Sequence, residues 1–233
     1  MPHGIFITLE GVDGAGKSTH LRKLVEYLRT RPTPVLVTRE PGGTKAGERI
    51  RNLLLRPGTA KMSAMTELIL MYAAREQHLE EVVRPALARG RIVISDRYND
   101  ASFAYQGYGR LLGPRTVRTF DRAVCGRTQP DLTLLLDIDP RVALERAHRR
   151  SSRGRAKLTR FENHGLKFQK RVRAGYLALA KQEPRRMKVI SADRPAAEVQ
   201  AEIRKLVDAL LAKRSRLRST AGRARPVNTR RRG

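Results

Sequence analysis

The run Gly11-Val12-Asp13-Gly14-Ala15-Gly16-Lys17-Ser18 fits the pattern G-x-x-x-x-G-K-[ST]. Glycines in such a loop let successive backbone N–H groups curl around phosphate oxygens. The lysine can reach the β and γ phosphates, and the terminal hydroxyl can ligate Mg²⁺. A bare match can arise by chance. Here the apolar run Ile5–Leu9 precedes it, and Leu21, Leu24, Val25 and Leu28 follow at helical spacing. That is the strand–loop–helix context the chemistry requires.

Three further groups could join that loop. In Ser95-Asp96-Arg97-Tyr98, a carboxylate at a strand end is placed to hold Mg²⁺ opposite Ser18, and the adjacent guanidinium can take a phosphate bidentately. Read alone, the dipeptide is equally a structural surface pair. Thr38-Arg39-Glu40-Pro41-Gly42-Gly43-Thr44 forces a turn and, by itself, nothing more. The segment from Arg149 to Arg160 is dense in arginine. A phosphoryl-transfer enzyme needs positive charge around the migrating group and must exclude water, so an arginine-rich lid answers both needs. A solvated loop and a nucleic-acid contact are the competing readings.

Strand-like and helix-like segments alternate to position these groups. Apolar runs at 5–9, 34–38, 91–95, 132–136 and 187–191 read as five strands. Segments 47–55, 64–88, 99–106, 114–125, 161–182 and 195–211, with one beginning at Pro140, read as helices. Short apolar strands separated by helices imply an α/β fold with a parallel sheet covered on both faces. Ligands of such sheets bind beyond the carboxyl ends of the strands, which gathers the phosphate loop, Thr38–Thr44, Asp96–Tyr98 and Asp137–Pro140 on one rim.

The 233 residues, 40% of them hydrophobic, suit one large domain over residues 1–212. Cys125 is the only cysteine, so no intrachain disulfide is possible and the composition suits a reducing cytosol. No segment is long and apolar enough to cross a membrane. The formal charge is +27, with nine basic and no acidic residues in 213–233, which leaves +18 on the rest. Such a body attracts polyanions and small phosphorylated molecules alike. The tail, with Gly222 and Pro226 and no apolar periodicity, is expected to be disordered, either as a solvating arm or as a non-specific nucleic-acid contact.

Taken together, the chain resembles bacterial thymidylate kinases, within the nucleoside monophosphate kinases. The resemblance runs from about Ile5 to Leu211. It is carried by Leu9–Thr19, Thr38–Thr44, Ala73-Ala74-Arg75, Asp96-Arg97-Tyr98, Ala104–Gly107 and Asp131–Asp137. It implies a three-layer phosphate-loop NTPase fold with a five-stranded parallel sheet, a basic lid at about 149–160, and Mg-dependent transfer from ATP to dTMP in a cytoplasmic homodimer. By resemblance, Gly11, Val12, Asp13, Gly14, Ala15, Gly16, Lys17, Ser18 and Thr19 hold ATP. Asp13, Glu40, Pro41, Arg51, Met71, Arg75, Arg97, Ser102, Tyr105 and Gln106 hold dTMP, and Ser18 with Asp96 holds the metal. Asp13 meets the 3′ hydroxyl, Arg97 the acceptor phosphate and Arg75 the thymine carbonyl; Tyr105 lies beneath the sugar. Ala15 occupies a loop position where some relatives carry the catalytic arginine, so Arg153 or Arg155 of the lid would take that work beside Lys17, Arg97 and Asp13.

Two positions depart from the family pattern. Met71 stands where a phenylalanine commonly stacks on thymine, and Thr159-Arg160-Phe161-Glu162 stands where the lid usually reads Asp-Arg-Phe-Glu. A thioether covers a base without offering an aromatic face. A kinase for another nucleoside monophosphate or a deoxynucleoside therefore stays open as an alternative. So does a polyanion-binding protein with a degenerate nucleotide site, although aromatics that could stack on bases are scarce.

Overall fold

The computed structural model describes residues 4–56, 62–152, 160–161 and 164–223. Five strands, β1 (Ile5–Glu10), β2 (Val35–Arg39), β3 (Ile92–Asp96), β4 (Leu132–Asp137) and β5 (Met187–Ser191), form one parallel sheet in the order β2-β3-β1-β4-β5. Phe6 of β1 lies opposite Val93 of β3 on one side, and Leu9 opposite Leu134 of β4 on the other. Every residue of β1 is buried. The central strand therefore reads as a continuous apolar run, without the alternation of a half-exposed strand. The outer strands β2 and β5 expose Val37 and Val189.

The connecting helices are α1 (Lys17–Leu28), α2 (Lys45–Leu55), α3 (Ala64–His78), α4 (Arg84–Ala88), α5 (Asn99–Ser102), α6 (Pro114–Val124), α7 (Pro140–Ser152), α8 (Gly165–Gln182) and α9 (Ala196–Arg223). The chain leaves β1 toward β2 and β3 on one side and returns to β4 and β5 on the other. The winding direction thus reverses at β1, where the phosphate loop departs, and a crevice opens there at the carboxyl ends of the strands.

The structure corrects the expected helices in four places. The segment 64–88 is not one α-helix: α3 passes through a π-helical turn, Leu79–Val83, into α4. Pro85 has no N–H to donate and its ring crowds the carbonyl four residues earlier, so the helix widens before it. Likewise α5 runs into a π-helical stretch, Phe103–Gly109, which carries Tyr105 and Gln106. Helix α8 starts at Gly165, leaving Phe161 in a turn. Helix α9 does not stop at 211 but continues to Arg223, into the segment expected to be disordered. From Lys213 to Ala221 the sequence contains no glycine or proline to end it.

Helix α8 lies closely on the π-helical stretch. A Cβ on Gly109 would approach Phe168 to 2.8 Å, and one on Gly175 would approach the Tyr108 ring to 2.8 Å. Only glycine at both positions permits this contact.

Candidate active site

The phosphate loop turns tightly because Gly11, Gly14 and Gly16 adopt positive φ, at 134°, 90° and 90°. Gly14 has no room for a side chain: a Cβ there would stand 2.1 Å from the Ala143 carbonyl oxygen. Helix α1 starts directly behind the loop with no acidic residue in its first turn. Its unpaired N–H groups and the positive end of its dipole therefore face the crevice. Lys17 donates to the carbonyls of Gly11 at 3.0 Å and Val12 at 2.9 Å, and lies 3.8 Å from the Asp13 carboxylate. Burial lowers its pKa to about 8.

Arg97 sits at the mouth of the crevice, just past β3, with φ of 69°. That left-handed conformation is uncommon for a side chain of this size and is held by its contacts. Its guanidinium donates to the Gly11 carbonyl at 3.0 Å, to Asp13 at 2.6 Å, and to the hydroxyls of Tyr176 and Tyr105 at 3.0 Å each. It also lies over the Tyr105 ring, 4.9 Å from the centroid. Beneath it Glu10 is fully buried, accepting from Tyr98 N–H and from the Tyr176 hydroxyl, each at 2.7 Å. Burial raises the Glu10 pKa to about 7, against the opposing pull of Arg97.

The opposite wall is built on Glu40, which follows β2 across a cis Glu40–Pro41 peptide. Glu40 accepts from Arg75 Nε at 2.7 Å and pairs with His78 Nδ1 at 2.9 Å. Burial opposes ionisation of Glu40, yet Arg75 and His78 outweigh it and hold its pKa below the ordinary carboxylate value. Arg75 also donates to Ser102 Oγ at 3.1 Å and to the Tyr98 carbonyl at 3.0 Å. Three of its five donors are thus committed to the wall, which fixes the direction of the remainder. Gln106 donates to Glu67 at 2.8 Å, and Arg51 to the Pro41 carbonyl at 2.8 Å.

Many of these residues line one cleft of about 500 Å³. It brings together Asp13, Gly14, Gly16, Lys17, Ser18 and Thr19 from the loop and helix α1. The rest of the lining includes Glu40, Pro41, Arg51, Met71, Arg75, Arg97, Ser102, Tyr105 and Gln106, together with Asp96. Gly11, Val12 and Ala15 form the buried inner side of the loop and do not line the cleft. The lid arginines Arg153 and Arg155 lie outside the described residues.

Sequence reasoning assigned no role to Arg146 of α7, Leu55 of α2, Ala101 or Phe161, all of which line the cleft. Arg146 lies about one helical turn before the basic segment, on the helix beginning at Pro140. Phe161 had been noticed only as part of the altered lid motif; its ring meets Tyr105 edge-on at 5.4 Å.

The cleft also has suitable oxygens for a divalent cation. Asp96 Oδ1 is buried without a hydrogen-bond partner, and the exposed Ser18 lines the same cleft. No cluster of three His, Cys, Asp or Glu side chains suited to a metal occurs among the described residues. A cation here would take one carboxylate and one hydroxyl and complete its shell with water and substrate phosphates, as Mg²⁺ does.

Residues 9–203 match the family model described as thymidylate kinase. A thymidylate kinase from Pseudomonas savastanoi pv. phaseolicola is 50% identical over 208 residues, spanning 89% of this chain and 97% of the relative. One from Desulfovibrio desulfuricans is 44% identical over 214 residues, spanning 91% and 99%. The crystal structure of thymidylate kinase from Ehrlichia chaffeensis superposes with a TM-score of 0.71 at 32% identity, covering 88% of this chain and 99% of that one. The family match ends within α9, so the last turns of that helix and the basic segment lie beyond it.

Proposed function

The chain belongs to the thymidylate kinase family, and from that premise we propose how its residues divide the transfer of the ATP γ-phosphoryl group to dTMP. The reaction is ATP + dTMP giving ADP + dTDP, on the route to dTTP. The observation that carries the residue assignment is the convergence of Lys17, Ser18, Asp96 and Arg97 at one end of a cleft whose other end is walled by Met71, Arg75 and Tyr105.

The loop N–H groups and Lys17 hold the β and γ phosphates, and Arg97 holds the acceptor phosphate. In-line attack by an acceptor phosphate oxygen needs no strong base, because that oxygen is already anionic. Catalysis therefore rests on alignment and on charge that meets the three equatorial oxygens of the migrating group. Asp13, tied to Arg97, would receive the 3′ hydroxyl. Tyr105, held by Arg97 and packed on Phe161, would form the floor under the deoxyribose, where a 2′ hydroxyl is crowded. Arg75 would reach the thymine carbonyl with a donor not spent on the wall. Met71, Leu55 and Phe161 provide apolar cover for the base. Mg²⁺, held by Ser18 and Asp96, would neutralise the β and γ phosphates. Arg153 or Arg155 would supply the further positive charge from the lid. Family membership also supports a homodimer acting in the cytoplasm, which sedimentation and fractionation would check.

The test is initial rates of ADP release with Mg-ATP and, separately, dTMP, dUMP, UMP, dCMP, dGMP and thymidine. A clear preference for dTMP is expected. Preference for another acceptor would keep the kinase and overturn the base assignment, and silence with all six would return weight to polyanion binding without catalysis.

A further inference from the structure

The phosphate loop leaves the carboxyl end of β1; the opposite face of the sheet, where chain enters the strands, has its own chemistry. Each of the four helix-to-strand connections on that face carries an exposed arginine: Arg29 before β2, Arg89 before β3, Arg127 before β4 and Arg185 before β5. Among the described residues none of the four is in an ion pair. Carboxylates on the same face are already engaged. Asp131 is bound by Arg214, Asp208 by Arg31 at 2.9 Å, and Glu183 lies 3.7 Å from Arg186. These three carboxylates are thus met by other arginines and not by the four on the connections.

Helix α9 adds to it. Its continuation beyond the family match is fixed to this face, because Arg214 reaches Asp131, and Asp131 in turn accepts from the Phe6 N–H at the start of β1, at 2.9 Å. In this stretch of the helix Lys213 and Arg216 are exposed and add positive charge beside the arginine-bearing loops, on the side of the sheet opposite the nucleotide cleft.

We propose that this face binds the phosphate backbone of double-stranded nucleic acid without reading sequence, and that it does so independently of the catalytic cleft. Exposed basic side chains that outnumber the carboxylates around them are the footprint of backbone recognition. Single-stranded binding is disfavoured because the four connecting loops hold no aromatic residue. Tyr27, near the end of α1, is already covered by Arg31 and Arg204 at 5.2 and 4.6 Å, so it offers no open face for stacking bases. An anionic membrane is the weaker partner. The helical stretch from Lys213 to Arg223 has one large apolar residue, Leu217, whereas interfacial helices bury an apolar face.

The experiment is fluorescence anisotropy of a labelled duplex of about 25 bp titrated with full-length protein from roughly 50 to 200 mM NaCl. Binding is expected to weaken at least about 100-fold over that range, as release of four or more counterions requires. Two full-length variants, Lys213→Gln with Arg216→Gln and Arg127→Gln with Arg185→Gln, should each bind several-fold more weakly with a shallower salt slope, while kinase turnover stays unchanged. Added Mg-ATP and dTMP should not displace the duplex. Wild-type protein that ignores the duplex would overturn the proposal. So would variants that bind as tightly as wild type, displacement by Mg-ATP, which would place the duplex in the cleft, or preference for phosphatidylglycerol vesicles over the duplex.

Discussion

Arg160 donates to the carboxylate of Glu67 at 2.6 Å, and Glu67 is fully buried. The same arginine reaches the Leu54 carbonyl through Nε, and its own N–H bonds the Leu55 carbonyl. The chain just after the basic segment is thereby locked to α2 and α3, with Phe161 and Leu55 brought to the cleft. Glu67 also accepts from Gln106, so one carboxylate joins the lid root to the acceptor wall. Glu67→Ala is expected to cost about 3 kcal/mol, since it leaves the partly buried Arg160 without its counter-charge. Glu67→Gln should fold but lose part of kcat. Thermal melts with steady-state rates check both, and a fully active, equally stable Glu67→Ala would contradict the role.

Lys17 has a pKa lowered to about 8 by burial, so its ammonium is lost as the pH rises through that value. The profile of kcat/KM for ATP, which reports the free enzyme, should fall about tenfold per pH unit above about 8. Rates at saturating dTMP measure it. A flat profile to about pH 9.5 would show that the loop keeps Lys17 charged. Lys17→Ala should abolish most turnover at every pH.

Glu10 titrates in the opposite sense for stability. Its folded pKa of about 7 lies above the ordinary 4.5, so the folded state holds a proton that the unfolded chain releases. This contribution is complete below about pH 4.5 and disappears as the pH rises through 7, by up to about 3 kcal/mol. Urea melts at about pH 5.5 and 8 should show wild type losing on the order of 2 kcal/mol more than Glu10→Gln between them. Equal losses in the two proteins would mean that Glu10 is ionised throughout, paired with Arg97.

Asp96→Asn removes the charge beside a buried carboxylate oxygen of the cleft that has no hydrogen-bond partner among the described residues. Turnover should fall by at least about 100-fold and the Mg²⁺ concentration for half-activity should rise. Nucleotide binding measured in EDTA should barely change. A loss of nucleotide affinity in EDTA would instead mark Asp96 as a structural residue.

Met71→Phe should lower the KM for dTMP several-fold, because an aromatic face replaces a thioether over the base, an interaction worth about 0.5–1.5 kcal/mol. Rates with dTMP and dCMP measure it. An unchanged KM would indicate that Phe161 already supplies the aromatic surface.

The fold was largely legible because its strands are buried on both faces: β1, β3 and β4 read as unbroken apolar runs, and the loop glycines follow the first of them. Most of the cleft was legible too, since Lys17, Asp96, Arg97 and Arg75 sit in short ordered motifs. What escaped depends on contacts distant in sequence. Glu67 looks like any helical glutamate until Arg160 and Gln106 converge on it. Arg146 joins the cleft only through the placement of α7. The continuation of α9 was missed because an arginine-rich run without apolar periodicity reads as solvated chain, whereas its helix propensity is adequate and Arg214 finds Asp131.

The glycine contacts between α8 and the π-helical stretch, at Gly109 and Gly175, bear on what binding costs. Tyr176 of α8 and Tyr105 of that stretch both hold Arg97, and neither can shift without disturbing Phe168, Val172 and Tyr108, which fill the space that Gly109 and Gly175 leave. The surface proposed to receive the acceptor is thus held in place before any substrate arrives. Little conformational entropy remains to be lost there, so contacts made by dTMP appear directly as affinity and alignment.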